Sequence, residues 1–263
     1  NGTVSAGTST FALFVLDAPL MSTDRRLEPA VTPGGRPAVQ IHGSNGTSEI
    51  DGFVSMLADG MKRLGLPVEM EEIYAMLLGS AVEGGGDAGE ILAYNFLSGE
   101  HLVGLSAGRP MYVRTPQSRL TLNGFMRAQL FAVFAPLMYG FSLLHDEARS
   151  KIRSVRAHGG LFRTRGTVQR VLASAMGVPV TVSAEAGEGG AFGAALLAAY
   201  AEHRADGETL EAYLARCVFV GECAATEEPD PVLAEEYRVY LERWTAGLPV
   251  EAAAVQTLIT SHS

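Results

Sequence analysis

Three short loops made of glycine and hydroxyl residues are the parts of this sequence best suited to bind phosphate groups. Glycine lets the backbone approach a ligand closely, and hydroxyl and backbone N–H groups donate hydrogen bonds to phosphate oxygens. Each loop follows a strand-like run, and the three occupy residues 6–10 (AGTST), 43–47 (GSNGT) and 159–162 (GGLF). Taken singly, each also has a purely structural explanation: a hairpin turn, the approach to a helix, and a strand-to-helix turn.

Other familiar phosphate and hydrolase motifs do not occur in the sequence. It contains no Gly-Lys-Ser/Thr and therefore no Walker A loop, and no G-x-G-x-x-G follows the first strand. No Ser, His and Asp stand in a hydrolase-like arrangement. The glycine-rich residues 187–190 precede an alanine-rich run, and close packing of that following helix explains them without a ligand.

The composition indicates a globular protein without a basic surface. The 263 residues include 20 basic and 29 acidic ones, giving a formal net charge of −9, which disfavours a nucleic-acid groove. No apolar stretch reaches the ~18 residues of a membrane helix, and no signal peptide is recognisable. We therefore expect a cytoplasmic protein with no nucleic-acid or membrane partner. For Cys217 and Cys223, two reduced thiols are favoured, with a disulfide or a zinc site left open.

The hydrophobic pattern predicts alternating strands and helices. A hairpin is predicted within residues 3–16, and further strands at 38–42, 91–96, 152–157 and 178–183. One helix is predicted to begin after an N-cap at Ser48, and others are predicted over 70–81, 122–144, 166–176 and 191–201. The last of these has small residues on every face, so we expect it to pack closely against its neighbours. Residues 17–37 and 97–120 are predicted as loops, 206–244 as surface helices, and the tail after Gly247 as weakly structured.

Three segments, in this order and spacing, resemble the C-terminal half of the FGGY family of carbohydrate kinases, especially its xylulokinase- and ribulokinase-like members. They are VSAGTSTFALFVL (4–16), HGGLFRTRGTVQRVLASAMGVPV (158–180) and AEAGEGGAFGAALLAAYA (184–201). The resemblance implies an α/β fold, an actin-like ATPase (ribonuclease H-like) domain with a mixed sheet and flanking helices. It also implies that residues 1–263 are the C-terminal kinase domain without the N-terminal sugar-binding half, and that 206–263 form a helical C-terminal extension of it.

The same resemblance implies ATP and Mg²⁺ as cofactors and a nucleotide site made from the three loops. The first loop would face the β- and γ-phosphates, the second would flank the ribose and phosphates, and the third would lie against the adenine. The residues implied are Gly7, Thr8, Ser9, Gly43, Ser44, Gly46, Gly159, Gly160, Leu161 and Thr164. His42 and Asn45 could reach toward the sugar. A strand-end histidine hydrogen-bonded to its own loop is the favoured alternative for His42.

In this family, the general base is an Asp located just before the phosphate hairpin. Because the hairpin here starts at residue 3, we expect no catalytic residue and no metal ligand in this chain, and no activity from the chain alone. The expected function is the ATP-binding half of a sugar kinase that phosphorylates a hydroxyl of a small sugar, with a ketopentose such as xylulose or ribulose as the guess. The alternative is a non-catalytic nucleotide-binding or regulatory domain of the same fold. A sugar bound through the N-terminal half is the expected partner, and a homo-oligomer is left open.

Overall fold

A computed structural model describes residues 1–83, 90–164, 166–183, 189–218 and 224–258 of the chain. Within these residues, the strands form one sheet of seven and one sheet of two. The strands are β1 (Gly2–Ala6), β2 (Thr10–Val15), β3 (Glu28–Val31), β4 (Pro37–Gly43), β5 (Ile91–Tyr94), β6 (Met111–Arg114), β7 (Val155–His158), β8 (Val180–Ser183) and β9 (Ala224–Glu227). The helices are α1 (Ser48–Arg63), α2 (Met70–Ser80), α3 (Leu122–Ser142), α4 (Asp146–Ser150), α5 (Thr167–Met176), α6 (Gly189–His203), α7 (Leu210–Cys217) and α8 (Pro231–Thr257).

The larger sheet has the strand order β3-β4-β2-β1-β7-β8-β9. Strands β1, β7 and β8 run parallel to one another, whereas β2 lies antiparallel between β1 and β4. Strand β4 therefore runs in the same direction as β1, and the sheet is mixed, as predicted. Because strands that run in one direction end at one edge of the sheet, the loops after β1, β4 and β7 emerge at the same edge.

The hairpin of β1 and β2 forms because its apolar residues alternate between the two faces of the sheet. Val4, Ala12 and Phe14 are fully buried on the inner face. The Phe14 ring lies 5.1 Å from the ring of Phe141 in α3, measured between centroids. The hairpin thus has one face fixed to the core.

Helix α3 is buried around most of its circumference, not on one face as an amphipathic helix would be. Its single charged residue, Arg127, is buried with each of its three guanidinium nitrogens in a hydrogen bond. The guanidinium donates to the carbonyl oxygens of Ala81 at 2.7 Å and Glu83 at 3.0 Å, and forms an ion pair with Glu236 at 2.9 Å. Arg127 thereby binds the C-terminal end of α2 and joins it to α8. None of the described helices combines the length and apolar character needed to cross a membrane.

Several element predictions are corrected by the structure. The segments predicted as loops contain two strands: β3, an edge strand that pairs only with β4, and β6, which pairs only with β5. Both are short and half or more exposed, so they lack the apolar alternation that marks a strand in sequence. The N-cap of α1 is Thr47, one residue before the predicted Ser48.

The end of the chain is more ordered and more buried than predicted. Helix α8 continues through Pro249 to Thr257, where a weakly structured tail was predicted. It is not a surface helix, because Tyr240 and Trp244 are fully buried, and Trp244 Nε1 donates to the Ala93 carbonyl oxygen at 3.0 Å. These long-range contacts hold the helix in place, and they are not visible in local sequence.

Helix α6 also departs from its prediction. We expected it to pack closely against its neighbours, yet none of its residues is buried, and Phe192 and Leu197 are 39% and 41% exposed. Its composition is apolar, but the described part of the chain leaves this helix uncovered. Cys217, at the end of α7, is an exposed free thiol, whereas Cys223 and residues 187 and 188 lie outside the described residues.

Glu251 in α8 is a buried carboxylate whose surroundings disfavour its charge. It is fully buried, and its Oε1 accepts a hydrogen bond from the backbone N–H of Arg109 at 2.6 Å. Its Oε2 has no hydrogen-bond partner among the described residues. Burial raises the pKa of Glu251 above its ordinary value, and the Arg109 contact offsets this only in part. The folded protein therefore holds this proton more tightly than the unfolded chain does. The resulting stabilisation is complete below the unfolded-state pKa and is lost as pH rises through the folded-state pKa.

We expect the Glu251→Gln variant to be more stable than the wild type at about pH 7, by about 1–2 kcal/mol, because it removes the buried charge. The advantage should shrink toward about pH 4, where the wild-type carboxyl is protonated. Urea unfolding across this pH range measures both free energies. Glu71→Gln, on the exposed surface of α2, is the control and should show no such trend. A stability difference that stays constant with pH would contradict the prediction.

Candidate functional site

The three glycine loops meet at the carboxyl end of β1. The first loop connects β1 to β2, the second follows β4, and the third follows β7. Strands β1 and β7 are paired in parallel with Ser5 opposite His158, so the first and third loops begin side by side. The second loop reaches the first through a hydrogen bond from the Thr47 N–H to the Gly7 carbonyl oxygen at 2.9 Å. Sheet topology therefore assembles segments that are more than a hundred residues apart in sequence.

The hairpin turn presents hydroxyl groups next to open space. The Gly7 N–H donates to the Ser9 carbonyl oxygen at 3.0 Å, which closes a three-residue turn. A Cβ at Gly7 would meet no atom within 4 Å, and Thr8 is exposed. Among the described residues, neither the Thr8 nor the Ser9 hydroxyl has a hydrogen-bond partner. The turn can therefore offer two free hydroxyls to a ligand with oxygen acceptors.

The second loop packs directly on this turn. A Cβ at Gly46 would overlap the Gly7 carbonyl oxygen, so only glycine fits there. The backbone N–H groups of Ser44 and Asn45 point the other way and donate to the buried carboxylate of Glu100, at 2.8 and 3.2 Å. The loop is therefore held between the hairpin turn and Glu100.

The third loop turns sharply beside β1. Gly159 has a φ of 105°, and a Cβ there would overlap the Ala6 carbonyl oxygen. Gly160 is exposed, and a Cβ at this position would meet nothing within 4 Å. The Leu161 side chain is 6% exposed and belongs to the core, whereas Thr164 is half-buried and extended. The surface at this loop is therefore backbone rather than side chain.

The two residues predicted to face a sugar occupy different environments. His42, at the end of β4, is half-buried, with its ring centroid 6.1 Å from that of His101. Asn45 is 6% exposed, and its amide is used inside the protein: Oδ1 accepts from the Ser98 N–H at 3.0 Å, and Nδ2 donates to Glu100 at 3.2 Å. The Asn45 side chain thus orders the loop from within.

His158 adds a titratable side chain at the same edge of the sheet. Its ring makes an edge contact with Phe11 at 5.8 Å between centroids. It also abuts Gly189, where a Cβ would lie 2.6 Å from the ring. Burial lowers the pKa of His158, so the imidazole is neutral at neutral pH.

This site is an open surface in the described chain, not an enclosed cavity. A cavity of about 660 Å³ lies between the β3–β4 turn and the α6–α7 connection, and includes none of the predicted site residues. Within the described ranges, no group of three or more His, Cys, Asp or Glu side chains could hold a metal ion. The site therefore offers hydroxyl and backbone donors around an open space, which fits phosphate oxygens better than a cation.

Sequence reasoning missed Glu100 as a part of this site, and it did not foresee that Thr10, at the end of the first loop, is buried. Glu100 lies in a segment predicted as a loop, where a charged residue gives no signal of burial. Thr10 is fully buried, and its hydroxyl has no partner in the described part of the chain. Both facts depend on packing between distant segments, which the local sequence does not show.

Comparison with known proteins agrees with this architecture. The sequence matches the FGGY family of carbohydrate kinases, C-terminal domain, over residues 2–202. No curated protein matches the chain.

Solved structures share the fold at low sequence identity. The ligand-bound xylulose kinase from Lactobacillus acidophilus aligns with a TM-score of 0.73 and 16% identity, over 98% of this chain and 49% of that one. The gluconate kinase from the same organism aligns with a TM-score of 0.72 and 17% identity, over 98% of this chain and 49% of that one. Plasmodium falciparum glycerol kinase with ADP aligns with a TM-score of 0.64 and 14% identity, over 95% of this chain and 46% of that one. The predicted mixed-sheet α/β fold is confirmed, and the chain spans about half the length of each of these proteins.

Proposed function

The chain belongs to the FGGY family of carbohydrate kinases, as its C-terminal domain, and from this premise we propose that it is the ATP-binding half of an ATP-dependent sugar kinase. The observation that carries the proposal is the meeting of three glycine loops at the carboxyl end of β1, around free hydroxyls and open space. Ligands of open α/β sheets bind at such strand ends.

Each loop has a separate task in the proposed site. The hairpin turn, with Gly7, Thr8 and Ser9, binds the β- and γ-phosphates through its hydroxyl and backbone donors. Residues 43–46 support that turn and flank the ribose, and the backbone at Gly159 and Gly160 gives the adenine a flat surface. Leu161 supports this surface from the core, and Thr164 lies at the adenine edge.

The bound nucleotide supplies the phosphoryl group, and Mg²⁺ offsets its charge. Because the described residues hold no carboxylate or histidine cluster, the phosphates themselves are the proposed ligands of Mg²⁺. The chain's own contribution is to orient the phosphates and to stabilise charge on the transferred group, through donors fixed before the reaction.

We assign the sugar site and the general base to a second half of the protein. The chain spans about half the length of the kinases it resembles, and the proposed site is open on one side. Helix α6 leaves an apolar surface uncovered, with Phe192 and Leu197 exposed, and a second half docked there would cover it. Closure of the two halves would then exclude water from the phosphates.

The sugar is proposed to be a ketopentose, with xylulose or ribulose as the first candidates. Similar folds include a xylulose kinase, a gluconate kinase and a glycerol kinase, so the choice among sugars depends on residues outside this chain. A non-catalytic nucleotide-binding domain is the alternative, because one fold supports several functions.

Titration calorimetry of the chain with ADP–Mg²⁺ tests nucleotide binding. We expect a dissociation constant between about 10 μM and about 1 mM, because half of the cleft is missing. Absence of measurable binding would contradict the proposal. Incubating the whole protein with ATP and xylulose, ribulose, gluconate or glycerol then separates the two candidates: ATP-dependent sugar phosphorylation supports a kinase, and binding without phosphorylation of any sugar supports the regulatory domain.

A further inference from the structure

Glu100 is a buried carboxylate that pairs with no Lys or Arg among the described residues. It is fully buried, directly before the 3₁₀ turn His101–Val103. No Lys or Arg of the described chain forms an ion pair with it, and the His101 Nδ1 lies 3.7 Å from its Oε1. A buried carboxylate needs hydrogen-bond donors to compensate for the loss of water.

Those donors come mostly from the second glycine loop. Oε2 accepts hydrogen bonds from the Ser44 N–H at 2.8 Å, the Asn45 N–H at 3.2 Å and the Asn45 Nδ2 at 3.2 Å. Oε1 accepts one from the Leu102 N–H at 3.4 Å. Bonds to an ionised acceptor are roughly twice as strong as neutral ones. The charge on Glu100 therefore fixes the backbone orientation of two successive loop residues.

Asn45 extends this contact into a clamp between residues 43–45 and 98–100. Its Oδ1 accepts from the Ser98 N–H at 3.0 Å and the Ser98 hydroxyl at 3.2 Å. Gly43 allows the clamp to close, because a Cβ there would lie 2.7 Å from the buried Thr10 hydroxyl and 3.7 Å from Glu100 Oε2. The space behind the loop is thus filled.

The clamp is connected to the hairpin turn through the next two residues. The Gly46 backbone packs against Gly7 and Thr8 with no room for a side chain. The Thr47 N–H donates to the Gly7 carbonyl oxygen at 2.9 Å. A shift of Ser44 and Asn45 would therefore move the backbone that supports the turn.

We propose that Glu100 is a positioning residue for the phosphate end of the site: by binding residues 44 and 45, its carboxylate sets the loop against which the Gly7–Ser9 turn rests. This inference rests on the proposed nucleotide-binding function. It predicts an effect confined to ligands with phosphates, because residues 43–45 follow β4 and the adenine surface at Gly160 follows β7, on opposite sides of β1 in the sheet. If the residue only stabilised the fold, its replacement would weaken the binding of adenosine and of ADP–Mg²⁺ alike.

The test compares ADP–Mg²⁺ and adenosine binding to the chain and to Glu100→Gln, which is close in shape and uncharged. We expect Glu100→Gln to raise the dissociation constant for ADP–Mg²⁺ about tenfold and to leave that for adenosine unchanged within about twofold. Backbone amide exchange at Ser44 and Asn45 should accelerate in the ligand-free variant. Glu71→Gln, with the same change on the exposed face of α2, should alter none of these quantities.

A second variant covers the case in which Glu100→Gln does not fold. Asn45→Ala keeps the buried charge and three of its donors, and it should show the same selective loss for ADP–Mg²⁺ with a smaller magnitude. An equal loss for adenosine and ADP–Mg²⁺, or no loss for either, would overturn the positioning role alone. Failure of the wild-type chain to bind ADP–Mg²⁺ would overturn the proposed function, and the inference with it.

Discussion

The Gly160→Arg variant should fold like the wild-type chain and lose its affinity for ADP–Mg²⁺ by about thirtyfold or more, about 2 kcal/mol of binding free energy. Gly160 is exposed, its φ is outside the left-handed region, and a Cβ there would meet nothing within 4 Å. The native fold therefore tolerates a side chain at this position. A long side chain would instead fill the space proposed for the adenine.

Calorimetry with ADP–Mg²⁺ and thermal unfolding of the same samples check both parts of this prediction. Gly60→Arg is the matched control, because Gly60 also faces open space but lies in the last third of α1, well after the second glycine loop. It should bind ADP–Mg²⁺ as the wild type does. Equal heats for Gly160→Arg and the wild type would place the adenine elsewhere.

The Gly159→Ala variant should be destabilised by about 3 kcal/mol or more, although it adds only one methyl group. Gly159 has φ 105° and ψ 168°, a region that is essentially restricted to glycine. The added Cβ would also overlap the Ala6 carbonyl oxygen of the neighbouring strand. Strain and overlap both act on the parallel pairing of β1 with β7, which lies at the centre of the sheet.

Urea unfolding gives the free energy of this substitution, and we expect the melting temperature to fall by about 6–12 °C. The neighbouring Gly160→Ala is the control. It adds the same methyl group one residue later, into open space, and should change stability by less than about 1 kcal/mol. If the two alanine variants are equally stable, the turn does not have the conformation described above.

The elements with a strong local signal were predicted correctly, and those held by distant contacts were not. The hairpin of β1 and β2 is marked by apolar alternation on either side of a Gly-Thr-Ser turn, and α5 by its apolar periodicity. Strands β3 and β6 are short and exposed, so their pairing depends on a neighbouring strand. The end of α8 was missed because Trp244 and Tyr240 stabilise it from across the core.

The residues of the candidate site also divide into those that the local sequence marks and those that only the fold reveals. The sequence predicts that Gly7 and Gly160 allow a ligand to approach the backbone closely, because both lie in glycine loops that follow strand-like runs. Gly46 and Gly159 look the same in sequence, yet each packs so closely against the hairpin that a side chain would not fit. Glu100 is an ordinary loop residue until the fold buries it against Ser44 and Asn45.

The sequence by itself determined the family, the mixed α/β fold and the three loops in order, because turn glycines, apolar periodicity and motif spacing are local properties of the chain. Only the tertiary structure decided which glycines face open space and which pack against the protein, and that a buried carboxylate supports the second loop. The physical reason is that burial and hydrogen bonding depend on which distant segments the sheet brings together. Residues 5 and 158 become neighbours only when β1 pairs with β7.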